Sequence, residues 1–575
     1  MKKRIPYGIG DFEKIRKENF YYVDKTQIIK DLEKHQYPFF IRPRRFGKSL
    51  LISTLEHYYD IEKKDAFDEL FKGLWIHDNP TEERNSYLVL RLDFSGIETS
   101  QGKQALYDSF TDNVKEYILP FLRKYKTQLQ VEKEKEIQQE NNPAQLMKSF
   151  ISTLKQSNHK AILLIDEYDN FANDLIGANE DNLYYDILSK TGFIRTFYEA
   201  VKSGAQEGAI ARIFLTGVSP IMLDDLTSGY NIASNITLDY EYNEALGFTQ
   251  TEVEQLLDYY WRPDAFESNT KSKILEEIKT YYNGYKFNKN AEQRLYNPDM
   301  VLYYMKYLAR GTFPDERIDM NVRTDYGKLQ RLLKENRKAG TQGEITTFEK
   351  INEKEEIITK IKQMFPLEQI TGTDEIISLM YYMGMLTIKE PYQAMVKLKI
   401  PNLVIKELYW EYIYTKINDA LGGEIEFGDI AKALSDMSKT GNPRKFVEFT
   451  YDKVKKYMSN RDLIGIAEKH IKLIFLSFLS VNNIYIPYSE LEMGGGYSDL
   501  VLYPDTRYGV KNSQIWELKY IKEKEDPKEK IKDAIEQIKK YEQDAKFQRL
   551  TAGTDIYKYI ILAYKDKIEL LEQNQ

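Results

Sequence analysis

Short apolar runs alternate with helical patterns over the first 240 residues. PFFI (Pro38–Ile41), YLVLRLDFS (Tyr87–Ser95), AILLID (Ala161–Asp166) and ARIFLTG (Ala211–Gly217) are continuous apolar segments of strand length. Helical spacing fills the intervals between them. That alternation predicts a parallel sheet covered by helices. The polar run KYKTQLQVEKEKEIQQENN, Lys124–Asn142, reads as an exposed helix or an insertion. From about Asn243 the pattern turns helical, and Thr249 followed by Glu252 before an apolar run is a capping-box signature. Few strand-like runs occur between 245 and 450, and no repeat period is present.

After Phe446 the pattern is mixed again. A helix at about 461–480 precedes three strand candidates, NIYIPYSE, SDLVLYP and SQIWELKYI. A long amphipathic helix from Pro527 to Gln543 and a further strand, YKYIILAY, follow. The expected architecture is multidomain α/β: a parallel-sheet domain over 1–242, a helical middle region over 243–450, and a compact α/β domain over 451–575. A length of 575 residues fits such a division, since single cores rarely grow so large.

Composition narrows the chemistry. The net charge is −7, so any nucleic-acid binding must come from local basic patches. There is no cysteine, which excludes disulfides, thiol catalysis and thiolate metal sites. The basic start MKKRIPYGIGDFEKI has no apolar run behind it, and the apolar stretch IKLIFLSFLSV is too short to span a bilayer. A soluble, cytoplasmic protein without a membrane partner is the expectation.

The stretch FFIRPRRFGKSLL runs an apolar strand into a Gly-Lys-Ser turn and then into a helix pattern. That is the setting of a phosphate loop, in which a helix N-terminus offers free N–H groups to phosphate. Gly47 would admit close backbone approach, Lys48 would reach the outer phosphates, and Ser49 would ligate Mg²⁺. The first glycine of such a loop is replaced by Arg42. Arg42, Arg44 and Arg45 add positive charge, for phosphate or for another partner. The stretch reads either as a nucleotide site with an altered entrance or as a basic strand-to-helix turn.

AILLIDEYDN favours the first reading. Its strand ends in Asp166 and Glu167, the acidic pair that nucleotide hydrolysis sets beside a phosphate loop. Asp166 would hold Mg²⁺ through water, and Glu167 would orient or activate the attacking water. The next strand, IFLTGVSP, ends in Thr216, which is placed to sense a terminal phosphate, with Ser219 close behind. Arg212 reads as a strand residue or as an arginine finger.

RPRRFGKSLL, LLIDEYD, FLTGVSP, YYNGYKF, YVDKT and LYNPDMVL together resemble, in order, the AAA-ATPase-like proteins that carry a C-terminal PD-(D/E)XK nuclease domain. Arginine commonly replaces the first glycine in that group. The resemblance implies ATP as cofactor, and it implies that Asp24, Lys25 and Thr26 lie near the nucleotide.

The resemblance also directs attention to SDLVLYPDTRYGVKNSQIWELKYI. A nuclease of this kind needs an acid at the start of one strand and an acid and a lysine two residues apart on the next. Asp499, Glu517 and Lys519 satisfy that pattern. Residues two apart on a strand share a face, and the turn-rich intervening stretch permits a hairpin that sets Asp499 beside Glu517. The two carboxylates would bind Mg²⁺, and Lys519 would position water and offset developing charge. Glu468 matches a helix glutamate of the group, and Gln537 a glutamine packed against its active site. Tyr497 stands where the group often has arginine. The implied partner is nucleic acid, DNA in preference to RNA; a second copy of the chain or a partner protein is left open. The expected function is an ATP-binding, ATP-hydrolysing module coupled to a metal-dependent nuclease. The alternative is a nucleotide-dependent switch whose C-terminal domain binds nucleic acid or a partner without cutting.

Overall fold

A computed structural model describes the chain except for residues 1, 131–132, 179, 223–231, 268–269, 325–355, 368–372, 460–467, 494–495, 523–524, 565 and 574–575. The chain packs as two compact units, one within Met1–Gly340 and Glu356–Asn402, the other within Leu403–Gln575. Both are mixed α/β. The helical stretch read over 243–450 thus contributes to both units. No helix among the described residues is long and apolar enough to cross a membrane.

The first unit is built on a parallel sheet. Its strands are β1 (Pro38–Ile41), β2 (Leu88–Asp93), β3 (Ala161–Asp166), β4 (Ile210–Gly217) and the short β5 (Ser234–Asn235). Their spatial order is β2-β3-β4-β1-β5, with every neighbouring pair parallel. Every side chain of β1 and of β3 is buried, as expected for strands covered on both faces, and this is why both read as unbroken apolar runs. Phe40 pairs with Thr216 and Asp93 with Asp166, so the C-terminal ends of β1 to β4 lie along one edge. The chain leaves β1 towards the β2 side and leaves β4 towards β5. The β1/β4 junction is therefore a topological switch point, the place where open α/β sheets bind ligands.

The remainder of this unit contains the helices Gln250–Tyr260, Thr270–Tyr282, Pro298–Leu308 and Thr373–Tyr382. Thr249 and Glu252 form the reciprocal capping box that their spacing indicates. A small antiparallel sheet was not legible: β6 (Ile357–Thr359), β7 (Thr387–Tyr392) and β8 (Met395–Lys399), in the order β6-β8-β7. Its strands are short, and β7 and β8 carry charges. Lys389 pairs with Glu356, and Lys397 with Glu390, across the sheet surface.

The second unit carries the sheet β13-β12-β11-β10-β9, formed by β9 (Tyr485–Met493), β10 (Gly496–Pro504), β11 (Asn512–Tyr520), β12 (Asp555–Ala563) and β13 (Ile568–Glu572). β10 and β11 are antiparallel, while β11 and β12 are parallel and joined through the helix Pro527–Glu542. Asp526 caps that helix and Pro527 opens it. Ala534, Ile538 and Tyr541 pack against Val501, Ile515 and Ile560 on one face of the sheet. Trp516 meets Phe446 and Phe475 on the other. Of the helix read at 461–480, the structure describes Glu468–Leu479; residues 460–467 lie outside the described residues. The edge strand β13 was not anticipated.

Candidate functional site

The turn after β1 has the backbone its sequence demands. Arg45 and Gly47 take positive φ, 67° and 95°, and the helix Lys48–Tyr59 starts at once with Gly47 as its left-handed N-cap. A cavity of about 530 Å³ opens beside this turn, within the range of small-molecule sites. Its wall includes Arg44, Arg45, Gly47, Lys48, Ser49 and Glu167, together with Lys25 from the N-terminal segment.

Lys48 is buried, and its ammonium donates to the carbonyls of Arg42 (3.0 Å) and Pro43 (3.1 Å). Burial lowers its pKa, opposed by the charges of Glu167, Asp166 and Asp169. Asp166 is fully buried; its Oδ1 accepts from Thr216 Oγ1 at 2.7 Å and from the Glu167 amide at 3.1 Å. Its Oδ2 accepts no hydrogen bond, and an Arg91 nitrogen stands 3.9 Å away. One oxygen is thus fixed by hydrogen bonds, while the other is buried facing Arg91, and Asp166 itself does not line the cavity. Thr216 does not line the cavity; it holds Asp166. Glu167 follows at φ 50°, an uncommon conformation for a side-chain-bearing residue, and burial raises its pKa.

Of Asp24, Lys25 and Arg212, only Asp24 departs from its expected place. Asp24 is committed to its own turn: Oδ1 accepts from the amide and hydroxyl of Thr26, and Oδ2 from the Trp75 amide. Lys25 does reach the cavity wall, where it is ion-paired with Glu252 at 2.7 Å. Arg212 forms a two-armed pair with Glu83 and donates to the His35 carbonyl, which makes it a structural strand residue. Asp169 escaped notice in the sequence. Its carboxylate accepts from the Val218 and Ser219 amides and from Asn173, locking the turn after β3 to the end of β4. The signal was its place three residues beyond Asp166 in the same motif.

In the second unit, Asp499 and Glu517 face each other across β10 and β11. The Asp499 amide donates to Glu517 Oε1 at 3.3 Å, and the Leu518 amide donates to Asp499 Oδ2 at 2.9 Å. Lys519 Nζ lies 3.1 Å from Glu517 Oε2 and 3.7 Å from Asp499 Oδ2, and donates to Gln537 Oε1 at 3.0 Å. Glu468 Oε2 accepts from the Tyr520 amide at 3.2 Å. All five residues are brought together here. The side chain of Tyr497 lies outside the described residues.

Burial and then the Asp499 charge push Glu517 up to about 8, and the same two causes raise Glu468. For Lys519 burial works in the other direction but is outweighed by Asp499, Glu517 and Glu468, so its pKa rises. Among the described residues no group of three or more His, Asp or Glu side chains closes into a metal cage. The two facing carboxylates, whose hydrogen bonds come from the Asp499 and Leu518 amides and from Lys519, number what Mg²⁺ takes when water and substrate complete its shell.

The class of protein follows from two comparisons. Residues 6–227 match the AAA-ATPase-like family, described as predicted AAA-ATPase, and residues 466–573 match the PD-(D/E)XK nuclease superfamily. The chain is thus similar to the AAA-ATPase-like family over its first segment and to the nuclease superfamily over its last. An uncharacterised protein from the vnfD 5′ region of Azotobacter chroococcum mcd 1 is 28% identical over 312 residues, covering 53% of this chain and 52% of that protein. A solved Walker-type ATPase of Pyrococcus abyssi is 12% identical at a TM-score of 0.34, covering 67% of this chain and 94% of that one.

Proposed function

We propose that the chain binds and hydrolyses ATP and that its C-terminal unit is a metal-dependent nuclease acting on phosphodiester bonds, with DNA the preferred substrate. The convergence of Asp499, Glu517, Lys519 and Gln537 on one face of the β10–β11 hairpin carries this reading. A surface strand has no use for two opposed, partly buried carboxylates bridged by a lysine; phosphodiester hydrolysis has.

The roles divide by chemistry. Asp499 and Glu517 would hold Mg²⁺, which when bound polarises the phosphodiester and lowers the pKa of water. Lys519 places a cation where negative charge develops. Gln537 fixes the Lys519 ammonium, and Glu468 anchors the strand end at Tyr520. In the first unit, Gly47, Lys48 and the helix N-terminus receive the nucleotide phosphates, with Arg44 and Arg45 adding charge. Ser49 and Asp166 would share the cation, Thr216 orients Asp166, and Glu167 directs the water. Nucleotide occupancy licenses or restrains cleavage.

The test is cleavage of duplex DNA, single-stranded DNA and RNA in Mg²⁺ or Mn²⁺, with and without ATP, comparing wild type with Glu517→Ala. Cleavage by wild type that is lost in the variant supports the proposal. Measurable ATP binding with no cleavage of any substrate would point instead to a nucleotide-dependent switch.

A further inference from the structure

The phosphate loop starts with a large cation where a glycine is usual, and the structure shows what that cation does. Arg42 is fully buried and takes no part in the cavity wall. Its guanidinium donates to the carbonyls of Ile41 (2.9 Å), Thr237 (2.9 Å) and Tyr242 (2.6 Å). The planar group lies between two rings, 4.2 Å from the centroid of Phe40 and 4.0 Å from that of Phe287. Carbonyl oxygens and ring faces thus replace much of the water a buried cation loses, with Nε left without a hydrogen-bond partner.

Phe287 also grips the other shoulder of the loop. The ring of Phe46 packs edge-on against Phe287 at 5.4 Å and against Tyr285 at 5.0 Å. Pro43, Arg44 and Arg45 are therefore spanned between two residues that touch the same aromatic ring. The ring itself is well fixed. The Phe287 amide donates to Asn243 Oδ1 at 2.9 Å, and its carbonyl accepts from the Tyr381 hydroxyl at 3.1 Å. The Lys286 amide donates to Thr387 Oγ1 at 2.8 Å. Gly284, at φ 119°, runs so close to Pro401 that a Cβ would sit 2.0 Å from its carbonyl oxygen, so no larger residue fits there.

The consequence reaches the phosphate site through the backbone. The carbonyls that receive the Lys48 ammonium are those of Arg42 and Pro43. Whatever fixes the Arg42 side chain fixes those carbonyls and hence the lysine. We infer that Arg42 and Phe287 are a pair of positioning residues for the nucleotide site, holding the phosphate loop from outside at the point where the usual glycine is missing. This deepens the nucleotide reading above and rests on it. It also gives YYNGYKF a function: the segment is the external support of the loop.

The experiment is equilibrium titration of the full chain with a fluorescent ATP analogue in Mg²⁺, for wild type, Arg42→Lys, Phe287→Leu, the double variant and Phe287→Tyr, with thermal unfolding of each. Each disruptive single variant is expected to weaken binding by about tenfold or more, as small misplacements of a positioned group do. The double variant is expected to bind about as well as the weaker single one, and Phe287→Tyr to bind like wild type, because both substitutions break one coupled contact. Wild-type affinity in variants that merely melt at lower temperature would overturn the positioning role. Should Phe287→Leu not fold, Tyr381→Phe removes only the hydroxyl that holds the Phe287 carbonyl; weakened binding there supports the proposal and unchanged binding overturns it. Failure of the wild type itself to bind would overturn the nucleotide reading, and the proposal with it.

Discussion

Asp499 and Glu517 oppose each other on adjacent antiparallel strands, with the Asp499 amide donating to Glu517 Oε1 at 3.3 Å. Glu517 is buried beside the Asp499 charge, on the face covered by the helix Pro527–Glu542, and both disfavour its ionised form. Glu517 bears the cost, with its pKa pushed up to about 8 from an ordinary 4.5, by burial first and by Asp499 second.

A pH dependence of stability follows. A carboxyl group whose pKa is raised in the folded state stabilises fully below its unfolded value, and that contribution is lost as pH rises through the folded value. In chelator, the protein is expected to lose stability between about pH 4.5 and 8, and Glu517→Gln to remove part of that slope. Thermal melts of both proteins across this window check it. Equal slopes would show that Glu517 titrates normally.

Lys519 is predicted to separate cation binding from catalysis. Its ammonium lies 3.1 Å from Glu517 and 3.7 Å from Asp499, where it would compete with the proposed metal ion for the same oxygens. Lys519→Met is expected to lose about 10²-fold or more in cleavage rate while binding Mn²⁺ at least as tightly as wild type. Calorimetric titration with Mn²⁺ alongside a cleavage assay measures the two quantities separately.

At the first site, Lys48→Ala is expected to weaken nucleotide binding by about 10²-fold, because on the proposed reading its ammonium meets the phosphates. Asp166→Asn retains the hydrogen bond from Thr216 but loses the charge, so it is expected to bind nucleotide and fail to hydrolyse it. Phosphate release and analogue titration distinguish the two phenotypes. Similar binding by Lys48→Ala and wild type would remove the cavity from consideration as a nucleotide site.

Arg212, on the neighbouring strand β4, offers a control. Its guanidinium is engaged by Glu83 and by the His35 carbonyl, in a half-buried setting. Arg212→Ala is expected to cost about 1–2 kcal/mol of stability and to leave ATP turnover unchanged. Denaturant midpoints and hydrolysis rates report both. A fall in turnover at constant stability would make Arg212 a participant in the reaction after all.

The sequence by itself determined the elements and most of the chemistry. β1 and β3 are legible because strands buried on both faces need uninterrupted apolar side chains, and β3 ends in the carboxylate of Asp166. Glu517 and Lys519 were placed on a common face by the two-residue repeat of a strand, and Thr249 and Glu252 by the geometry of a helix start. These are local rules, and local sequence is enough to apply them.

Only the tertiary structure decided how the polar groups were assigned. Asp24 and Thr216 look like ligands in sequence, but the fold commits one to a turn and the other to Asp166. The sheet of β6, β7 and β8 was missed because short strands carry little periodic signal and gain their stability from partners distant in the chain. Arg42 shows the difference most clearly. Its charge suggested phosphate, whereas carbonyls from residues 237 and 242 and the ring of Phe287 claim it for the core. Those partners are about 200 residues or more away in sequence. No pattern within the loop specifies them, because a buried cation takes whichever oxygens and ring faces the completed fold brings to it.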